Sequence, residues 1–375
     1  MLTERIEAIW QQLHAMPEPA FCEVKTAAFL VQRLREAGYS VQEHVGVHEG
    51  KPATGVVGVL DSGKPGPVAA LRSDMDCLMF KQADGSERGV HACGHDAHMS
   101  MVLAAAEELS KQGIPCGKVK IIFQPAEEIG KGALCLLDAG VLDDVDYLFG
   151  MHLMSSQMAP GGKAIATVRW TACTLIRAVV EGVPAHGSKP HLGVNAIDVG
   201  AAIVAAVNAL HTDPLLCGNV KTTSFVAGGG SLNSICAKAE MGFDLRSTSN
   251  EEMEQLRQRV MDVITGTAAV YGAKASAEIV GTCPASSFDS TMAALAKEVI
   301  TEELGPEGLI DTAATTVGED FNFYAMYKPQ LKTGFIGLGC NLQPGLHDPE
   351  MTFEHQDMAH GCRILQGLIR KALTL

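Results

Sequence analysis

The sequence predicts an α/β protein in which a mainly parallel sheet flanked by helices carries an inserted ferredoxin-like α+β domain. Three observations predict it. The chain has 375 residues, more than one hydrophobic core usually organises, so two domains are the default expectation. Through residue 170 and again beyond 283, short continuous apolar runs alternate with helix-period segments. That is the pattern of strands buried on both faces by crossover helices. Between them, residues 171–283 read strand, helix, strand, strand, helix, strand, the order of a ferredoxin-like sandwich.

Each element follows from its own residues. Residues 24–37 form an amphipathic helical pattern stopped by Gly38, a residue that readily ends a helix in the left-handed conformation. Apolar runs at 55–60, 68–71, 119–123 and 147–150 read as strands, with helical patterns at 97–109 and 133–139. The middle segment supplies strands at 174–181, 221–226, 239–245 and 274–280 and helices at 194–210 and 251–271. After Gly281 come a helix over 289–304, a strand near 335–338 and a closing helix over 355–373. His347 belongs with the donor-rich motifs of the first part yet lies beyond the interruption. The larger domain is therefore expected to comprise 1–170 and 284–375, with 171–283 inserted into it.

Composition excludes several partners. A formal net charge of −14 argues against nucleic acid and anionic membrane surfaces, which need clustered Lys and Arg. No uninterrupted apolar run is long enough to span a bilayer. The start, Met1-Leu2-Thr3-Glu4-Arg5-Ile6-Glu7, is charged and lacks the apolar core of a signal peptide. Eleven cysteines show no framework spacing, and an odd number cannot all pair. A cytoplasmic location, where thiols stay reduced, is the expectation.

The chemistry-bearing residues gather at strand ends. In His91-Ala92-Cys93-Gly94-His95-Asp96-Ala97-His98 a thiol and an imidazole flank a glycine just before a helix. An isolated Cys-Gly-His is more often a buried thiol beside a loop histidine. The neighbouring His91, Asp96 and His98 shift the balance toward a metal site. Asp96 is expected to orient a ligand imidazole, and His98 to be structural. Glu127-Glu128 follows the 119–123 strand after Gln124-Pro125-Ala126, which places the pair in a fixed turn. One carboxylate can then bind metal while its neighbour takes a proton from water. Asp74-Met75-Asp76 follows the 68–71 strand as metal ligand or support, and His152 follows the 147–150 strand. Ligands of open α/β sheets bind outside the carboxyl ends of strands, where these motifs coincide. With His347, the donors suffice for two divalent metals and a spare base.

Two competing classes fare worse. A dinucleotide-dependent oxidoreductase would open a helix with Gly-x-Gly-x-x-Gly after the first strand, and none does; Gly228-Gly229-Gly230 reads as a loop after a strand of the insert. A non-catalytic metal- or peptide-binding homologue would lack a base or a ligand, and every such position is filled.

The order of His91-Ala92-Cys93-Gly94-His95-Asp96-Ala97-His98, Phe123-Gln124-Pro125-Ala126-Glu127-Glu128, Gly150-Met151-His152 and Ala185-His186-Gly187 resembles the amidohydrolase branch of the aminoacylase/carboxypeptidase family of two-metal peptidases. The match runs from His14, Pro17-Glu18 and Phe21 to Leu346-His347. The resemblance implies a two-metal exopeptidase-type catalytic domain and an inserted lid and dimerisation domain. It makes Cys93, His95, Glu128, His152 and His347 the metal ligands and Glu127 the general base. It makes His186 an oxyanion donor reaching a dimer partner's site, and Asn233 and Arg246 holders of a substrate carboxylate. The chain departs from the family pattern at Cys77-Leu78-Met79, in a short 80–90 segment, and at Cys236 where a proline is usual. The implied reaction is hydrolysis of an N-acyl amino acid to a carboxylic acid and a free amino acid, with a dipeptidase or carboxypeptidase activity of the same family as the alternative. The implied cofactors are two divalent ions per subunit, zinc or manganese, with nickel and cobalt also compatible. A homodimer formed through the insert is expected.

Overall fold

Long buried runs dictate the first part of the chain in a computed structural model that describes residues 1–228 and 230–375. The middle of the Gly228-Gly229-Gly230 run, read above as a loop, lies outside the described residues. Helices α1 (Leu2–His14) and α2 (Val24–Glu36) bury one face each, Ile6, Ile9 and Leu13 on the first and Leu30, Val31 and Leu34 on the second. There follow β1 (Ser40–His48), β2 (Lys51–Asp61), β3 (Val68–Asp74) and the hairpin of β4 (Leu78–Lys81) with β5 (Glu87–Val90). Next come α3 (His95–Gln112), β6 (Lys118–Gln124), α4 (Gly132–Asp138), β7 (Tyr147–Ser155) and β8 (Ala164–Arg169).

The chain then builds β9 (Ala172–Glu181), α5 (Ala196–Asn208), β10 (Asn219–Ala227), β11 (Lys238–Ser247), α6 (Asn250–Val270) and β12 (Lys274–Cys283). It returns with α7 (Ser290–Leu304), β13 (Leu309–Ala314), α8 (Asn322–Tyr327), β14 (Lys332–Leu342) and α9 (Met358–Ala372). Two compact units result: Met1–Arg169 with Ser287–Ala314 and Asp320–Leu375, and Trp170–Ser286 with Thr315–Glu319. The short 315–319 segment, which the sequence leaves with the larger domain, packs with the second unit.

The first unit is an eight-stranded sheet in the order β1-β2-β6-β3-β7-β14-β8-β13. Neighbours from β6 through β3 and β7 to β14 run parallel, as do β8 and β13. The pairs β1–β2, β2–β6 and β14–β8 are antiparallel. Along β3, β6 and β7 almost every residue is buried, odd and even positions alike, so both faces of the central strands are covered. The core joins these strands to α1, α2, α3, α7 and α9. Helix α3 is buried on every side from His95 to Ala106, which explains why its sequence shows so little polar face.

The second unit is a four-stranded antiparallel sheet in the order β10-β11-β9-β12, the strand order of a ferredoxin-like fold. Helices α5 and α6 supply Val199, Ile203, Leu256, Val260 and Ile264 to a core shared with Ile176, Val180, Met241 and Phe243 of the sheet. Asn195 and Ser249 cap the two helices by accepting the Ile197 and Glu252 backbone N–H groups. No helix among the described residues is long and apolar enough to cross a membrane.

Candidate metal centre

The site assembles at the carboxyl ends of β3, β6 and β7 and at the start of α3. Cys93 and His95 flank Gly94, whose φ of +83° is a left-handed conformation and whose missing Cβ would stand 2.9 Å from the Leu153 side chain. That glycine lets the chain turn tightly enough to aim a thiol and an imidazole into one space. His95 Nδ1 donates to the Asp76 carbonyl at 2.8 Å, and His152 Nδ1 donates to the Leu153 carbonyl at 2.6 Å. In its neutral form each ring therefore carries its proton on Nδ1 and turns Nε2 inward as a ligand atom. Burial opposes charge on His95, yet Asp74 and Cys93 raise it well above the ordinary imidazole value, so a metal at its Nε2 would displace a proton. His152 Nε2 lies 3.4 Å from Cys93 Sγ.

The Glu127-Glu128 turn is held by its backbone. Ala126 has a left-handed φ of +56°, a strained conformation for a residue with a Cβ. Three successive N–H groups, those of Ala126, Glu127 and Glu128, donate to Glu23 Oε1 at 3.0 Å and to the two Asp76 oxygens at 2.9 and 3.1 Å. Glu23 is itself buried and accepts the Thr54 hydroxyl. The clamp turns both glutamate side chains toward the donors, with Glu127 Oε1 also accepting the Asp320 N–H at 3.4 Å. His95 Nε2 lies 3.8 Å from Glu128 and 4.0 Å from Glu127, and His347 Nε2 lies 3.6 Å from Glu128. His347 also has a left-handed φ of +64°, and its N–H donates to the Ala92 carbonyl at 2.7 Å.

Three of the candidate donor sets among the described residues overlap on the predicted residues: Cys93, His95 and His152; Cys93, Glu128 and His347; and His95, Glu127 and Glu128, the ligand atoms of each within 4.8 Å of one another. Asp74, His95 and His98 form another that shares His95. His95 Nε2 and Glu128 Oε1 are buried without a well-formed hydrogen bond, and both face the Cys93 thiol. Burial pushes the Cys93 thiol well above its ordinary value and the Glu128 carboxyl up to about 7, while it drives His152 well below the usual imidazole range. A thiolate and a carboxylate in that space need a cation beside them, and neutral imidazoles suit one as ligands. The donor set fits divalent metal.

Beneath the site lies a charged network with no counterpart in the local sequence pattern. Arg72, almost fully buried, donates to Asp74 at 2.9 Å, Gln124 at 2.8 Å and Asp320 at 2.7 Å. Tyr324 donates to Gln124 and the Ala133 N–H donates to Asp320. Burial alone would raise the Asp74 carboxyl, yet His95, His98 and Arg72 hold it well below the carboxylate range. His98 bridges Asp74 and the Leu153 N–H with its two ring nitrogens, so it is structural, as its motif suggests. Asp96 corrects an expectation: its side chain accepts from His14 Nδ1 at 2.7 Å and so ties α3 to α1 rather than orienting a ligand.

The remaining predicted residues lie in the second unit. His186 is exposed, and its Nδ1 accepts the Ser188 N–H at 3.1 Å, which leaves the proton on Nε2 as a donor. Asn233 is exposed, and its carbonyl accepts the Gly187 N–H at 2.6 Å. Arg246, on β11, grips Asp244 through Nε and one terminal nitrogen and donates to the Thr316 carbonyl through the other.

The sequence model of the peptidase family M20/M25/M40 matches residues 70–371. The chain belongs to this family. An indole-3-acetyl-aspartic acid hydrolase of Enterobacter agglomerans is 31% identical over 89% of the chain and 80% of its own length. One of the subunits of the p-aminobenzoyl-glutamate hydrolase of Escherichia coli K12 is 30% identical over 92% and 81%. A Bacillus subtilis protein described as a dinuclear metal binding peptidase from the M20 family superposes with a TM-score of 0.81 at 26% identity, covering 100% of this chain and 99% of that one. This M20 protein is a metal-dependent amidohydrolase.

Proposed function

We propose that this amidohydrolase cleaves N-acyl amino acids to a carboxylic acid and a free amino acid at a two-metal centre held by Cys93, His95, Glu128, His152 and His347. The observation that carries the reading is the clamped 126–128 turn, which aims Glu127 and Glu128 at a thiol and two inward-facing imidazole nitrogens. The relatives named for indoleacetyl-aspartate and aminobenzoyl-glutamate support an acylated amino acid as substrate class. Bound divalent ions, zinc or manganese by the donor chemistry, lower the pKa of water and polarise the amide carbonyl.

The chain's own residues do the rest. Glu127, its carboxylate 4.0 Å from His95 Nε2, takes a proton from the attacking water and returns it to the leaving nitrogen. His186, with its proton on Nε2, donates to the developing oxyanion, contributed by the partner in a homodimer formed through the second unit. Asn233 and Arg246 hold the substrate carboxylate; beyond its bonds to Asp244 and Thr316, Arg246 retains one N–H on each terminal nitrogen.

A reducing cytoplasm is the compartment we infer for the eleven cysteines. The metal-loaded protein should hydrolyse members of a panel of N-acetyl, N-benzoyl and indoleacetyl amino acids and spare their amides that lack the free carboxylate. A panel in which only unacylated peptides were cleaved would replace this reading with a peptidase.

A further inference from the structure

Away from the metal centre, the second unit sets two thiols side by side. Cys173 lies in β9 and Cys283 ends β12, and the antiparallel register places them opposite one another. A bulge creates that register. The pairing at Ile279 and Ile176, continued without interruption, would bring Cys283 opposite Ala172; the shift between Ile279 and Gly281 moves it one residue onto Cys173. The adjacent pair is well formed, with Thr174 and Thr282 hydroxyls 3.2 Å apart and Thr282 donating to the Cys173 carbonyl at 3.1 Å. Opposed residues on antiparallel strands have Cα atoms about 4.5–5.5 Å apart, within the ~4.4–6.8 Å range a disulfide requires.

The surroundings fit reactivity. Both cysteines are reduced and partly exposed. A Cβ added to Gly318 would stand 2.9 Å from Cys173 Sγ and 3.7 Å from Cys283 Sγ, so the two sulfurs converge under a residue with no side chain. On the other flank, β11 sets Arg246 opposite Cys173. A hydrogen bond with Cys283 outweighs burial and, with the Arg246 charge, brings the Cys173 thiol down to about 7. Near neutral pH much of it is then thiolate, the nucleophilic form. The position in the chain gives the pair a consequence. Cys173 lies just after Trp170, where the chain enters the second unit, and Cys283 just before Ser286, where it leaves toward α7.

We propose that Cys173 and Cys283 are a reversible disulfide site that staples the strands by which the chain enters and leaves its second unit. The oxidant is a low-molecular-weight disulfide. The Cys173 thiolate attacks one of its sulfurs, forming a mixed disulfide and releasing one small thiol. Cys283 loses its proton as it attacks the Cys173 sulfur, closing the protein S–S bond and expelling the second small thiol. Two protein thiols are oxidised, one small disulfide is reduced, and the two protons leave on the released thiols.

The test is to incubate the metal-loaded enzyme with oxidised glutathione, alkylate the remaining thiols, digest, and map the peptides by mass spectrometry. A crosslink joining the Cys173 and Cys283 peptides should form, vanish on treatment with dithiothreitol, and be missing from Cys173→Ser and Cys283→Ser. In Cys283→Ser the oxidant should instead leave a mixed disulfide on Cys173. Recovery of both cysteines as alkylated thiols, under conditions that modify the exposed Cys22 and Cys217, would overturn the proposal. This map of the unsubstituted chain decides the matter even if a serine variant folds poorly.

Discussion

Cys93 is the residue whose state depends most on its surroundings. Burial favours its neutral thiol, and a divalent cation reverses that preference by stabilising the thiolate directly. Cys93→Ser keeps the volume but offers a hydroxyl, a much poorer ligand at neutral pH. Losing even a group behind the ligands typically lowers metal affinity about 10–100-fold, and losing a ligand lowers it more. Metal analysis after dialysis should therefore find the variant depleted relative to the parent; full occupancy would return Cys93 to the status of a buried apolar thiol. Arg72 marks the limit of local reading at this scale. A charged residue after four apolar ones predicts the end of the strand at Leu71, yet β3 continues through a buried Arg72 to Asp74. Its neutralising partner Asp320 lies 248 residues away, and no local periodicity can foresee such a partner. Glu23, clamping Ala126 from 103 residues away, is hidden for the same reason.

Among the elements, legibility follows burial. Strands β3, β6 and β7 read clearly because continuous burial demands continuous apolar residues. The outer strands β1 and β13 are half exposed, so their sequences carry no comparable signal, and the six-residue α8 is too short to show a period. Asp74 and the Glu127-Glu128 pair were legible because they end or follow the readable strands β3 and β6. His152 instead lies within β7, Cys93 precedes α3 and His95 opens it, so the Cys93-Gly94-His95 motif was read from its donor types rather than from a strand. The joint between α1 and α3 yields a test with a definite sign. The hydrogen bond to Asp96 raises His14 above its ordinary value of 6.5 against the opposing effect of burial. A raised histidine stabilises the fold fully below the unfolded-state pKa and loses that contribution as pH rises through the folded-state pKa. His14→Ala should therefore lower the melting temperature most below about pH 6.5 and progressively less at higher pH. The effect should be modest, since the His14 side chain is 51% exposed. A difference that is constant across pH would show that the ion pair contributes nothing.

The whole molecule joins two units of different chemistry: the metal centre in the first, and His186, Asn233 and Arg246 in the second. If His186 serves a partner's centre, a dimer assembled from Glu127→Gln and His186→Ala subunits retains one site with both groups intact. Mixing the two inactive variants should then restore up to about half of the parental activity per mixed dimer, because losing an oxyanion donor costs roughly 10²–10³-fold in an unmixed variant. No recovery in dimers shown to be mixed would place His186 in its own subunit's site. The central claim, that Glu127 is the base beside a metal centre built by the other residues, is tested most directly by measuring metal content and kcat together in Glu127→Gln. The substitution is nearly isosteric and leaves the clamped turn and the five proposed ligands in place. The predicted result is parental metal content with kcat lowered about 10²–10⁴-fold. Near-parental kcat at unchanged metal content would contradict the account.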